Sequence, residues 1–361
     1  MGNLKARLLA RIDREGPINI AAYMSACLFD PVDGFYPTRD PLGSEGDFIT
    51  APEISQMFGE LIGIFALQSW RDMGRPETVQ LVELGPGRGI MMSDMMRAAH
   101  MDADFVRAVN ITMVEASPAL EAVQAKNLAA CPAPVTWARG LSNVEAGPSI
   151  IIGNEFLDCL PIRQFIRHDG AWHERVVMRD PDDEGALIYG RSATPEAGLD
   201  LSAFDGAQDG DLAEYNPGLT QICAQLHDRF ASHAGRALLI DYGPAISEVG
   251  DTVQAISRHQ KVDPLAAPGD ADLTARVDFG ALSRAAREQG VDSYGPVTQA
   301  QFLEAMGIEL RAAKLAQQSE RHKPIIARQL HRLMDEHAMG SLFKVMAMQS
   351  HGLPKPIGVA T

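Results

Sequence analysis

Residues 82–92 read VELGPGRGIMM. An apolar run ends near an acid, Glu83. Three glycines follow at alternate positions, Gly85, Gly87 and Gly89, and helical apolar spacing resumes at Ile90. Glycine lets backbone approach a ligand where a Cβ would collide. One glycine serves a tight strand-to-helix turn. Three in alternation point to a ligand held at the carboxyl end of a first strand, in the crevice where open α/β sheets bind.

Working outward, strands and helices alternate. TVQLVEL is a strand and residues 90–99 a helix; ITMVEA is the next strand and 118–129 the next helix. PVTWARG reads as a short third strand and PSIIIGNEF as a buried fourth, with RALLIDYG and SLFKVMAMQ returning later. Such alternation implies a doubly wound, mostly parallel α/β sheet. Between these, IRQFIRHDGAWHERVVM reads as a β-hairpin turning at Asp169-Gly170, with ALIYG as a third strand. The expected organisation is an N-terminal helical segment over 1–74 and a core over 75–243 with a hairpin insertion near 162–191. A loop-rich cap insertion over 244–316 and a final helix and strand over 317–361 complete it.

In the first segment Asn19 reads as the cap of a helix ending at Asp30-Pro31. Thr50 and Glu53 have capping-box spacing, with Pro52 in the first turn and Ile49 and Ile54 placed as a hydrophobic staple. Leu4, Leu8 and Ile12 share one helical face, which suggests a docking helix. The start has no apolar stretch long enough for a signal peptide, and its acids argue against a transit peptide. With no apolar run near a membrane-span length, the expected location is the cytoplasm.

The chain of 361 residues carries a net charge of −15, which argues against a nucleic-acid partner on a broad basic face. Its 4 cysteines lie far apart with no C-x-x-C pair, so no metal site is expected. Met91, Met92, Met95 and Met96 read as deformable core filler.

The glycine spacing separates two ligands. A dinucleotide fingerprint, G-x-G-x-x-G, would place its third glycine at 90, where the chain has Ile90. The pattern here is acid-x-G-x-G-x-G, with Glu83 as the acid. Glu115, ending the second strand, can accept hydrogen bonds from ribose hydroxyls of either ligand.

Further motifs occur in order: GDFITAPEISQMFGELIG (46–63), VELGPGRG (82–89), NEFLDCLPIRQF (154–165), LLIDYG (238–243), PGDADLTARVDF (268–279) and GSLFKVMAM (340–348). Together they resemble the MidA-like family of class I S-adenosylmethionine-dependent methyltransferases, over nearly the whole chain. That family includes the mitochondrial arginine methyltransferase needed for respiratory complex I assembly. The resemblance implies the class I methyltransferase fold, S-adenosyl-L-methionine as cofactor, and a protein substrate such as a complex I subunit. Arg276 stands where His is expected and Pro244 where an aromatic is common, which bears on substrate detail.

The expected cofactor residues are Glu83, Gly85, Gly87, Gly89, Glu115, Asp47, Thr50 and Asn154. The expected catalytic residues are Glu155, Asp158 and Asp241, acids at strand ends, because carboxylates match the donor fork of a guanidinium. A non-catalytic cofactor-binding assembly factor and a dinucleotide oxidoreductase are the alternatives. The sequence leaves a homodimer open.

Overall fold

Val79–Leu84 (β1) is buried along its whole length, as a central parallel strand covered on both faces must be. The other strands of its sheet are Val109–Val114 (β2), Val135–Ala138 (β3), Ser149–Asn154 (β4), Gly235–Tyr242 (β5), Asp292–Thr298 (β6) and Phe343–Gln349 (β7). Their order is β6-β7-β5-β4-β1-β2-β3. The run from β5 to β3 is parallel throughout, while β7 is antiparallel to both of its neighbours. This is the doubly wound sheet expected from the alternating pattern. Strand order reverses between β1 and β4, the place where open α/β sheets bind ligands, at the carboxyl ends of the strands. The computed structural model describes residues 4–38, 50–257, 260–317 and 320–359.

The described chain divides into two compact units. The sheet unit comprises Ile49–Leu157, Gln221–Ala245 and Phe279–Thr361. Its helices Gln56–Asp72 (α1), Ile90–Ala99 (α2), Pro118–Asn127 (α3) and Lys323–Met334 (α4) include good helix formers with apolar residues three and four apart. Phe58, Ile62 and Phe65 of α1 are fully buried in a core shared with Met91, Met92, Met95 and Met96 of α2. Each such side chain contributes about 1.5–3 kcal/mol of apolar burial. Gly63 makes the close approach of α1 and α2 feasible, because a Cβ there would lie 2.5 Å from the Met95 carbonyl oxygen.

Three local expectations meet different structure here. The capping box at Thr50 does not form: Thr50 makes no side-chain cap bond, and its helix is only Ala51–Ile54. Ser55 then adopts an extended conformation and caps α1 itself, its hydroxyl accepting from the Met57 N–H. The chain therefore turns between two helices where the pattern suggested one. The short helix Ala103–Ala108, started by the Asp102 side chain, went unread because six residues carry too little periodicity. Strand β6 lies in a stretch read as loop-rich with short helices. Its Gly295-Pro296 pair interrupts the ladder between Tyr294 and Val297, which an edge strand tolerates.

The second unit comprises Met1–Phe48, Asp158–Thr220 and Ile246–Asp278. Its main sheet is antiparallel, with Arg163–His168 and Ala171–Arg179 forming the expected hairpin and Leu187–Pro195 pairing with the latter. Asp169 and Gly170 both have positive φ, 49° and 74°, the geometry an Asp-Gly turn provides. Leu4, Leu8, Leu9 and Ile12 of the first helix are buried in this unit's own core, together with Cys27, Ile162 and Leu273. The apolar face read as a docking surface is thus covered within the unit. As expected, Asn19 caps the helix Ile20–Phe29 by accepting from the Ala22 N–H. Among the described residues no helix is long and apolar enough to cross a membrane.

Candidate functional site

The ends of β1, β2 and β4 lie side by side. Leu84 pairs with Val114 on one flank and Gly153 on the other. The glycine turn, Glu115 and Asn154 therefore leave the sheet at one edge. In the turn Gly85, Gly87 and Gly89 have φ of 60°, 52° and 76°. All three are left-handed, a conformation that costs an ordinary residue about 1–2 kcal/mol. A Cβ on Gly85 would lie 3.1 Å from Cδ2 of Phe156.

Glu83 is nearly fully buried. Its carboxylate accepts from the Met92 N–H in the first turn of α2, where Gly89 supplies no side-chain cap. Oε2 has no hydrogen-bond partner among the described residues, and burial pushes the carboxyl up to about 8. Glu83 thus anchors the amino end of α2 from beneath the turn through its bond to the Met92 N–H.

Glu115 is held by more contacts than its position alone suggested. Oε1 accepts from the Ser117 N–H at 2.7 Å and Oε2 from Gln124 Nε2 at 2.9 Å. Burial raises its carboxyl, opposed by these two donors and by the Ala116 N–H and Arg139. Gln124 Nε2 also donates to the Gly87 carbonyl at 2.7 Å, and its Oε1 accepts from Trp137 Nε1 at 2.9 Å. Arg139 donates to the Glu115 carbonyl and to Glu121. Gln124, Trp137 and Arg139 were not read as site residues. A signal for Gln124 existed: it is a polar residue in the stripe Leu120, Gln124, Leu128 at four-residue spacing.

Beyond β4, the Glu155 N–H donates to the Ile240 carbonyl at 2.9 Å, and Glu155 takes a left-handed φ of 51°. For a non-glycine residue that is strain which the surrounding structure must hold. Its Oε1 accepts from the Ala51 N–H at 3.2 Å and from Asn154 Nδ2 at 3.1 Å. Burial pushes the half-buried Glu155 carboxyl up to about 7, with Glu53 adding to the rise and Arg332 of α4 opposing it. Thr50 is therefore next to this carboxylate, through Ala51. Asp241 is fully buried, its oxygens accepting from the Leu157 and Tyr242 N–H groups, both at 2.9 Å. It braces the 155–157 turn against β5.

The structure thus gathers Glu83, the three glycines, Glu115, Asn154, Glu155 and Asp241 around one sheet edge, with Thr50 nearby. Asp158 belongs to the second unit. There it and Asp272 flank the Tyr36 hydroxyl, which donates to Asp272 Oδ1 at 3.0 Å. Arg276, also in that unit, is exposed and pairs with Glu248 at 2.9 Å. Asp47 lies outside the described residues, as does Ile49 of the expected staple. Among the described residues no group of His, Cys, Asp and Glu is placed to hold a metal ion.

Comparison with known proteins gives one consistent result. Residues 61–297 match the family described as "Putative S-adenosyl-L-methionine-dependent methyltransferase". The chain is 37% identical over 377 residues to "Protein arginine methyltransferase NDUFAF7 homolog, mitochondrial" of Drosophila melanogaster, covering 96% of this chain and 85% of that one. It is 36% identical over 372 residues to the human "Protein arginine methyltransferase NDUFAF7, mitochondrial", covering 95% and 82%. A Burkholderia thailandensis crystal structure with S-adenosyl-homocysteine bound superposes with a TM-score of 0.87 at 28% identity, covering 99% of this chain and 94% of that one. The chain belongs to this family of S-adenosyl-L-methionine-dependent methyltransferases, and S-adenosyl-L-methionine is its cofactor.

Proposed function

We propose that this chain methylates an arginine of a protein, with a respiratory complex I subunit as the substrate, and that Glu155 receives the guanidinium. The observation that carries the reading is Glu155 itself: a carboxylate held at a strained left-handed turn beside the strand-order switch. The names of the relatives, protein arginine methyltransferases, support the same residue type. Those relatives are mitochondrial by name, so the cytoplasmic expectation draws no support from them.

The residues at this edge fit the cofactor. The left-handed glycines present backbone without side chains, as close approach of a bulky nucleoside requires. An ionised carboxylate has about four lone-pair sites. The Ser117 and Gln124 bonds and the Ala116 N–H occupy three on Glu115, leaving an acceptor for a ribose hydroxyl. Glu83 sets the turn by holding α2, and Thr50 begins the short helix that meets Glu155.

Bound S-adenosyl-L-methionine supplies an electrophilic methyl on sulfur: the N–C bond forms as the C–S bond breaks, its electron pair passes to sulfur, and the proton lost by the nitrogen passes to the Glu155 carboxylate. A guanidinium is a weak nucleophile because its charge is delocalised and permanent. A carboxylate on one side localises that charge away from the reacting nitrogen. Burial holds the Glu155 carboxyl near 7, and an arriving cation shifts it to the ionised form, since an opposite charge lowers a carboxyl pKa. Asp241 keeps the 155–157 turn in place. Asp158 belongs to the second unit and is assigned no step.

The test is transfer of labelled methyl from the cofactor to protein lysate of a strain lacking the gene, followed by hydrolysis and identification of the labelled amino acid. Methylarginine is expected. Gly87→Val, placing a branched side chain at a φ of 52°, should abolish the label. Label in another residue overturns the arginine reading; undiminished label with Gly87→Val overturns the site.

A further inference from the structure

Asn154 carries a feature the mechanism above does not use. It ends β4 and is only 7% exposed. Its Nδ2 donates to Glu155 Oε1 at 3.1 Å. The carboxylate therefore fixes which way the amide points, because the flipped amide would set oxygen against oxygen. Oδ1 is left as an acceptor, and it has no hydrogen-bond partner among the described residues. Native structures rarely leave a buried polar atom unsatisfied, and a ligand donor is one reason to do so.

The strand order says which ligand. Glu115 leaves β2 on one side of the glycine turn, and Asn154 leaves β4 on the other. With the sugar on the β2 side, the β4 side faces the methyl acceptor. There Oδ1 and the Glu155 carboxylate are neighbouring acceptors joined by one hydrogen bond. A planar group with several N–H donors matches such a pair better than a single hydroxyl does.

We propose that Asn154 Oδ1 accepts an N–H of the methyl-accepting group, so that Asn154 and Glu155 together select a nitrogen substrate with donors on adjacent nitrogens. This rests on the arginine reading and adds a second selecting residue to it. Asn154 is a substrate contact, distinct from the cofactor contact expected of it from sequence.

Two readouts test it: calorimetric binding of S-adenosyl-homocysteine, and labelled methyl transfer to lysate protein of a strain lacking the gene. Asn154→Leu removes the acceptor at similar volume. It should leave S-adenosyl-homocysteine affinity within about twofold and lower transfer at least about tenfold, the effect of one lost buried hydrogen bond. Asn154→Asp retains an oxygen acceptor while losing the donor to Glu155, and should transfer at least about threefold faster than Asn154→Leu. A smaller drop with leucine, a loss of cofactor affinity beyond about tenfold, or an aspartate variant no faster than leucine would each overturn the proposal. Should the leucine variant fail to fold, Asn154→Ala takes its place in the same comparison. The residue labelled by the wild-type enzyme decides the arginine reading separately, because it does not depend on any Asn154 variant.

Discussion

Replacing Gln124 with leucine probes how the glycine turn is held. Gln124 is fully buried and bonds three partners: the Gly87 carbonyl, the Glu115 carboxylate and the Trp137 indole N–H. Leucine fits the stripe of Leu120 and Leu128 but bonds none of them. The two neutral bonds contribute about 1 kcal/mol each and the bond to the carboxylate about 1.5–3 kcal/mol. Better apolar burial by leucine offsets about 1 kcal/mol. The net expected loss is about 2.5–4 kcal/mol. At about 1.3 °C per kcal/mol for 361 residues, the thermal midpoint should fall by about 3–5 °C. Loosening the Gly87 carbonyl and freeing Glu115 should also weaken S-adenosyl-homocysteine about tenfold, or about 1.4 kcal/mol. Differential scanning calorimetry and isothermal titration measure the two effects. A variant that melts within about 1 °C of wild type and binds equally well would refute the view that Gln124 ties the turn to the ribose acid.

Because burial holds the Glu155 carboxyl near 7, kcat/KM should rise with pH below that value and level above it. Glu155→Gln should lose that limb along with most of the activity, and an unchanged profile in the variant would remove Glu155 from the chemistry. Glu83 sits at about 8 against an ordinary 4.5. A raised acid loses stability as pH climbs from its unfolded to its folded value, so Glu83→Gln should gain on wild type between those limits. The gap should reach on the order of 5 kcal/mol, read from urea unfolding, and a pH-independent gap would contradict it. Arg236 is fully buried and pairs with Asp72 at 2.6 Å, with further bonds to Gln349, Ser69 and the Pro354 carbonyl. Arg236→Ala leaves Asp72 without its cation and should cost about 3–5 kcal/mol in chemical denaturation. A loss under about 1 kcal/mol would show that water replaces the pair.

Alternation of apolar strands with helical spacing determined the doubly wound sheet, since a strand buried on both faces and an amphipathic helix each write their period into the chain. The glycines at 85, 87 and 89 and the acids at 83 and 115 marked a candidate ligand edge, because three alternating glycines at a strand end exceed what a tight turn needs. Residues whose role depends on a distant partner were hidden. Gln124 reads as an ordinary helical glutamine until Trp137, Gly87 and Glu115 converge on it. The Thr50 box was misread because spacing cannot report the extended Ser55 that divides the two helices. Asp241 and Glu155 look alike in sequence, as acids after apolar strands. Only the fold separates them: one carboxylate is enclosed by backbone donors, the other stands at a strained turn beside Asn154. Sequence sets local period and backbone permission, whereas hydrogen-bond partners and burial arise when chain segments far apart meet.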